Sequence, residues 1–328
     1  MRRRDFIKML CGVTAWPAAA RAQQRNQMRR IGVLMSQAAD DPEAQRRLGV
    51  FLQGLQDLGW NLGRNIQIDY RWVAGNIEHY RSYAAVLVAL SPDIVVTSQG
   101  TLVDALQQAT RSLPIVFVGI IDAVANRRVE SLARPGGNVT GFTGIEYGIS
   151  GKWLEMLKEI APRVARVGVI RDSGGPGGPA QYDVLQNVAP SFKVELHPIG
   201  VDNTDEIERG ITAFARGSNA GLVVVESARA HFHRGPITSL AARFQLPAVY
   251  SSRSFVTAGG LISYGPDPID QWHLAAGYVN RILKGEKPGD LPVQTPTKFE
   301  LTINLKTANG LGMAIPPALR ALANEVIE

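Results

Sequence analysis

One succession of short apolar β-type runs and amphipathic helical stretches occurs twice along these 328 residues, and this constrains the fold more than any other feature. Arg30–Met35 (RIGVLM) is the first such run. Asp41-Pro42-Glu43 follows as a helix start, with a capping side chain and then proline at the first helical position. Leu48, Phe51, Leu52, Leu55 and Leu58 recur at helical spacing until Gly59. Ile66–Trp72 alternates like a strand, and a helix carrying Tyr80, Tyr83, Leu87 and Val88 ends before Pro92. Asp93–Thr97 reads as strand, Leu102–Thr110 as helix and Ile115–Val118 as strand. Strands alternating with helices point to βαβ units and parallel sheets, and near-continuous apolar strands fit burial on both faces.

The pattern then restarts. Arg166–Ile170 echoes Arg30–Leu34, Gly221–Val225 echoes Asp93–Thr97, and Leu246–Tyr250 echoes Leu113–Phe117, at separations of 136, 128 and 133 residues. Buried parallel strands resemble one another, so each match alone says little. Their common order and spacing predict an α/β protein of two Rossmann-like lobes with parallel sheets. Between the copies lie the turn-rich Arg134–Asn138, a short strand at Val139–Thr143, and a helix with Ile149, Trp153, Met156, Leu157 and Ile160 on one face. Ser263–Pro268 reads as a crossover into a long helix, with Asp267 as its N-cap. Lys284–Pro292 is a polar loop, and Glu300–Leu305 is a last strand before a terminal helix. The expected division is a first lobe of 29–143 plus about 267–290, and a second of 144–266 plus about 291–328.

The N-terminus reads as an export signal. Arg2, Arg3 and Arg4 precede a short apolar run from Met9 to Ala20, and Ala20-Arg21-Ala22 supplies a cleavage pattern, leaving Gln23 as the new N-terminus. Arg3–Lys8 (RRDFIK) also matches the twin-arginine export pattern. The run is too short to span a bilayer. Of the 35 Lys+Arg and 29 Asp+Glu, residues 1–22 hold five and one, leaving 30 against 28. The net charge of +6 is therefore mostly a property of the signal and gives no reason to expect nucleic-acid binding. The single cysteine, Cys11, lies in the same segment, so a mature chain starting at Gln23 has no disulfide, thiol nucleophile or thiolate metal site.

In doubly wound sheets, ligands bind beyond the carboxyl ends of the strands. Two such lobes face one another across a cleft, so the loops after strands carry the expected site. Ser36 follows the first strand. Ser98, Gly100 and Thr101 follow the third and open a helix whose first N–H groups favour an anion such as a carboxylate. Asp122 follows the fourth strand. In the second copy Asp172, Glu226 and Tyr250 stand at strand ends, with Tyr264 and Asp267 further on. An acid there could hold an ammonium group, and Tyr250 or Tyr264 could stack on an aromatic ligand. Each of these residues has a plainer reading as a helix cap or a solvated loop residue. Gly175–Ala180 formally matches a dinucleotide fingerprint, but it lies too far from its strand and contains two prolines. Gly151-Lys152-Trp153 lacks the rest of a phosphate loop. His231 and His233 read as surface histidines without a carboxylate at ligand spacing. No nucleophile elbow is present, and no cofactor or metal is expected.

These residues together resemble the ABC-transporter substrate-binding proteins of the tryptophan/aromatic-amino-acid-binding-like group. The resemblance runs through the signal, Ser131–Phe142 (SLARPGGNVTGF), Gly259–Asp267 (GGLISYGPD) and Tyr278–Leu305. It implies a type I periplasmic-binding fold with a hinge. It also implies a periplasmic protein that delivers an amino-acid-like or aromatic small molecule to a membrane permease, with no enzymatic activity. A monomer without nucleic-acid partners is expected. Family members often carry Gly-Thr-Pro where this chain has Gly100-Thr101-Leu102, and Asp-Pro-Val where it has Asp122-Ala123-Val124. An exported α/β enzyme and a sensor docking to a membrane receptor are the alternatives.

Overall fold

A computed structural model describes residues 28–76, 78–174 and 177–328. The export signal, its cleavage point and the Gly175-Pro176 pair of the fingerprint-like loop lie outside the described residues.

The first sheet has the order β2-β1-β3-β4-β5 and is parallel throughout, built from β1 (Arg29–Met35), β2 (Ile66–Trp72), β3 (Ile94–Thr97), β4 (Ile115–Ile120) and β5 (Val139–Thr143). Its helices are α1 (Pro42–Asp57), α2 (His79–Ala89) and α3 (Gly100–Ala109). The side chain of Asp41 caps α1 by accepting from the N–H groups of Glu43 and Ala44 at 3.0 Å. Leu48, Phe51 and Leu55 then turn the apolar face of α1 into a core with Ile31, Val33 and Val96.

The second lobe begins with α4 (Ile149–Ile160), β6 (Arg166–Arg171), α5 (Gly177–Phe192), β7 (Glu195–Gly200) and α6 (Thr204–Phe214). It continues through β8 (Ala220–Val224), α7 (Ala228–Phe232), α8 (Arg234–Arg243), β9 (Ala248–Tyr250), α9 (Arg253–Thr257) and β10 (Ile262–Pro266). The long α10 (Pro268–Leu283) comes next, followed by β11 (Phe299–Asn304), α11 (Leu305–Gly310), α12 (Pro317–Leu322) and β12 (Glu325–Ile327). The second sheet has the order β12-β11-β10-β9-β8-β6-β7, parallel except where β11 runs antiparallel to β10. The segment expected to be only a crossover is thus partly a strand. Ile262–Pro266 pairs with β9 on one side and β11 on the other before the chain leaves the lobe.

Helix α10 packs on α1, so Trp272, Ala276 and Val279 belong to the first lobe's core, as does Leu291. The chain crosses between the sheets in three adjoining places. Gln294 accepts from the Thr143 N–H at 2.8 Å and donates to Gly141 O at 2.9 Å, while the Asp267 N–H donates to Lys298 O at 3.0 Å. Gln271, buried on α10, donates its side-chain amide to Thr143 O at 2.5 Å and ties two crossings together.

Candidate functional site

The loops beyond the carboxyl ends of β1 and β4 touch those beyond β6, β8 and β9. Arg234 of α8 donates to Asp41 at 2.5 Å, and Arg253 of α9 reaches Glu43. A β-carbon on Gly177 would lie 3.5 Å from Ile121.

The first lobe presents hydroxyls and free amides. Ser36 and Ser98 bring their Oγ atoms to 3.5 Å from one another at the ends of adjacent strands. Helix α3 starts at Gly100 behind Gln99, whose extended backbone provides no side-chain cap. The N–H groups of Leu102 and Val103 turn back to Gln99 O, so those of Gly100 and Thr101 are the ones aimed outward. The Gln99 side chain instead accepts from the Tyr80 hydroxyl at 3.3 Å. Gly100 has a structural reason of its own. A β-carbon there would stand 2.7 Å from Cζ of Arg128, whose guanidinium donates to Asp104 through two nitrogens at 2.8 Å and to Gly100 O at 3.1 Å.

The second lobe presents carboxylates that already have partners. Asp172 accepts from Arg229 at 3.1 Å, and Arg229 also binds Asp202. Glu226 accepts from His231 Nε2 at 2.7 Å, and its backbone is clamped by the Gln181 side-chain amide at 3.0 Å in both directions. Burial works to raise the Glu226 carboxyl, but His231, Ser251 and Arg47 outweigh it and hold the group below the ordinary carboxylate range. His231 is therefore not a surface histidine. It is half-buried, with Nδ1 lying 3.1 Å from the Ser254 hydroxyl. His233 is also partly buried, and its Nδ1 lies 3.5 Å from the Thr204 hydroxyl.

The remaining expected residues divide by position. Asp122 is in the left-handed region at φ 42° and accepts from the Ala125 N–H at 2.8 Å, which makes it a turn former beside Tyr147. Tyr250 is 1% exposed, and its ring stacks on Phe255 with centroids 5.1 Å apart, so it fills the core rather than the cleft. The Tyr264 ring is half-buried against Phe299 at 5.7 Å, and its carbonyl accepts from Trp153 Nε1 at 2.7 Å. Asp267 caps α10, accepting from the Ile269 and Asp270 N–H groups at 2.8 and 3.3 Å.

Further polar groups stand on this interlobe face, Gln37 and Ser251 at the strand ends beside Ser36 and Tyr250, and Arg47 and Glu300, which the sequence did not single out. Arg47 of α1 is partly buried and its Nε has no hydrogen-bond partner among the described residues. Burial lowers its pKa against the pull of Glu43 and Glu226. Gln37 Oε1 is likewise buried and unpartnered among the described residues, whereas the buried Ser251 hydroxyl lies beside the Glu226 carboxylate that it helps to hold ionised. Glu300, at the start of β11, is pushed up to about 7 by burial and by Asp267. No spacing rule reveals Arg47 or Glu300, because their charged neighbours come from both lobes. Among the described residues, no group of three or more His, Cys, Asp or Glu side chains could hold a metal, and no helix is long and apolar enough to cross a membrane.

Two facing α/β lobes, three adjoining crossings and a polar face between them define a bilobal binding protein. Residues 32–327 match the family model described as ABC transporter substrate binding protein, and the chain belongs to that family. It is 27% identical over 284 residues to a "Tyrosine-binding protein" of Clostridioides difficile (strain R20291), covering 86% of this chain and 81% of that one. A conserved domain protein from Vibrio cholerae superposes with a TM-score of 0.84 at 26% identity, over 92% of this chain and all of that one. An ABC domain in complex with L-Trp from Streptococcus pneumonia also gives 0.84, at 25% identity and the same coverage. The fold is that of periplasmic binding proteins, and the family is one of substrate-binding proteins rather than enzymes.

Proposed function

We propose that this chain is the extracytoplasmic binding component of an ABC importer, taking an amino-acid-like ligand with an aromatic side chain between its lobes and delivering it to a membrane permease. One observation supports this reading above the others. The first lobe offers anion donors, namely the open α3 start with Ser36 and Ser98, where the second offers carboxylates, Asp172 and Glu226. A zwitterion suits that polarity, with its carboxylate at α3 and its ammonium toward the acids. The names of the relatives, which mention tyrosine and L-Trp, point to the same ligand class. Tyr264 is the remaining aromatic of the expected set for stacking, since the Tyr250 ring is in the core. The signal read at residues 1–22 sends the chain to the periplasm.

The test is a thermal-unfolding screen of the chain from Gln23 against the twenty amino acids and aromatic acids. A ligand at 100 times its Kd adds about 2.7 kcal/mol of stability. Stabilisation by L-tryptophan, L-tyrosine or L-phenylalanine supports the reading, and a screen in which no amino acid stabilises the protein overturns it.

A further inference from the structure

Four charged side chains, Asp41, Glu43, Arg234 and Arg253, join the start of α1 to the second lobe, away from the α3 start. The Asp41 carboxylate is shared. Oδ1 caps α1, and Oδ2 accepts from Arg234 of α8 at 2.5 Å. Burial would raise this carboxyl, but the Ala44 N–H and Arg234 hold it below the ordinary range. Two residues on, Glu43 accepts from Arg253 of α9, which also binds Glu325 of its own lobe through two nitrogens. Arg253 and Glu43 are each only 16% exposed, so the pair is poorly screened by solvent. One turn further along α1, Arg47 lies among Asp41, Glu43, Glu226 and Glu300, acids from both lobes. Both bridges hold only while the lobes are together. Neither uses Ser36, Ser98, the α3 start, Asp172 or Glu226.

We propose that the first turns of α1 are a closure clasp, in which Asp41–Arg234 and Glu43–Arg253 set how much of the protein is closed and thereby tune ligand affinity from outside the ligand contacts. The clasp rests on the reading that ligand binds between the lobes. Measured affinity scales with the fraction of molecules in the binding-competent state, so weakening the clasp loosens binding without altering a ligand contact.

The test uses Arg234→Gln and Glu43→Gln, singly and together. These substitutions leave the Asp41 cap and the Arg253–Glu325 pair in place; Arg234→Gln also removes the bond from Arg234 to His231 O, so Glu43→Gln, which touches neither His231 nor Glu226, must by itself shift the radius and affinity in the same direction. Glu155→Gln, which breaks the exposed Lys152–Glu155 pair, is the control. Solution scattering without ligand should show a larger radius of gyration for the double variant than for the unmodified protein or the control. Calorimetry with L-tryptophan and L-tyrosine should show affinity reduced about tenfold. The unmodified protein should lose affinity as salt rises, and the double variant should lose less. An unchanged ligand-free radius, or an affinity within twofold of the unmodified protein, overturns the clasp. If neither amino acid binds the unmodified protein, the ligand reading fails separately, and the scattering comparison alone decides the clasp.

Discussion

The Phe232 ring on the second lobe lies on the backbone of Gly75 on the first, so close that a β-carbon at Gly75 would stand 2.5 Å from its Cδ2. Gly75 also has φ +74°, where side chains other than glycine are strained. Gly75→Ala should therefore act twice. Left-handed strain should cost about 1–2 kcal/mol of stability, and the displaced ring should hold the lobes apart and weaken ligand binding severalfold. Adding Phe232→Ala should restore affinity while the stability loss remains. Calorimetry and thermal unfolding of the single and double variants separate the two effects. A double variant as weak in binding as Gly75→Ala would show that the ring contact does not limit closure.

Asp267 places both of its hydrogen bonds on α10. Asp267→Ala should cost about 1 kcal/mol of stability and leave affinity for L-tryptophan and L-tyrosine within about twofold, the outcome expected of a carboxylate whose Oδ1 serves the cap. A tenfold loss of affinity with unchanged unfolding would make Asp267 the ammonium partner instead.

Glu300 carries a pH signature. Burial and Asp267 raise its pKa to about 7, from the ordinary 4.5 of a glutamate, so between these values the folded state holds a proton that the unfolded state has released. The sign is that of a penalty: absent below about pH 4.5, growing between 4.5 and 7, and fully present above 7. Discounted for partial exposure, it should be on the order of 1 kcal/mol. Glu300→Gln should therefore be the more stable protein at pH 8, and the gap should narrow toward pH 5. Denaturant unfolding at a series of pH values checks this, and a gap that widens as pH falls would contradict it.

Export by the twin-arginine route predicts that replacing Arg3 and Arg4 by lysine blocks delivery to the periplasm. Fractionation followed by N-terminal sequencing checks both the route and Gln23 as the first mature residue. Unchanged export of the double variant would exclude the route and leave the plain secretory one.

The architecture was legible because buried parallel strands and their helices leave periodic, repeated patterns, and Asp-Pro pairs mark the starts of α1 and α10. Strand β10 was missed because Ser263–Pro268, with its glycine and prolines, reads as a crossover into the helix that follows. The sequence cannot show that β9 and β11 pair with it on either side, leaving Pro266 at its end where a missing N–H does least harm. His231 was misread because its carboxylate, Glu226, precedes α7 in a loop rather than at helical spacing, and because its other partner, Ser254, is 23 residues away. Tyr250 ends a strand where a cleft residue belongs, yet its ring turns onto Phe255, a choice made by packing that no local pattern reports. Arg47 was invisible for a related reason, since its acidic neighbours come from both halves of the chain.

The most direct measurement is a calorimetric titration of the chain from Gln23 with L-tryptophan and L-tyrosine, beside tryptamine and tyramine, which lack the carboxylate, and the corresponding 3-arylpropionic acids, which lack the ammonium. The polarity between the α3 start and the acids of the second lobe predicts that at least one of the two amino acids binds. Each analogue of that amino acid should bind at least about tenfold more weakly, the loss expected when one charged partner is removed. Binding by neither amino acid, or equal binding by the analogues, would contradict the account.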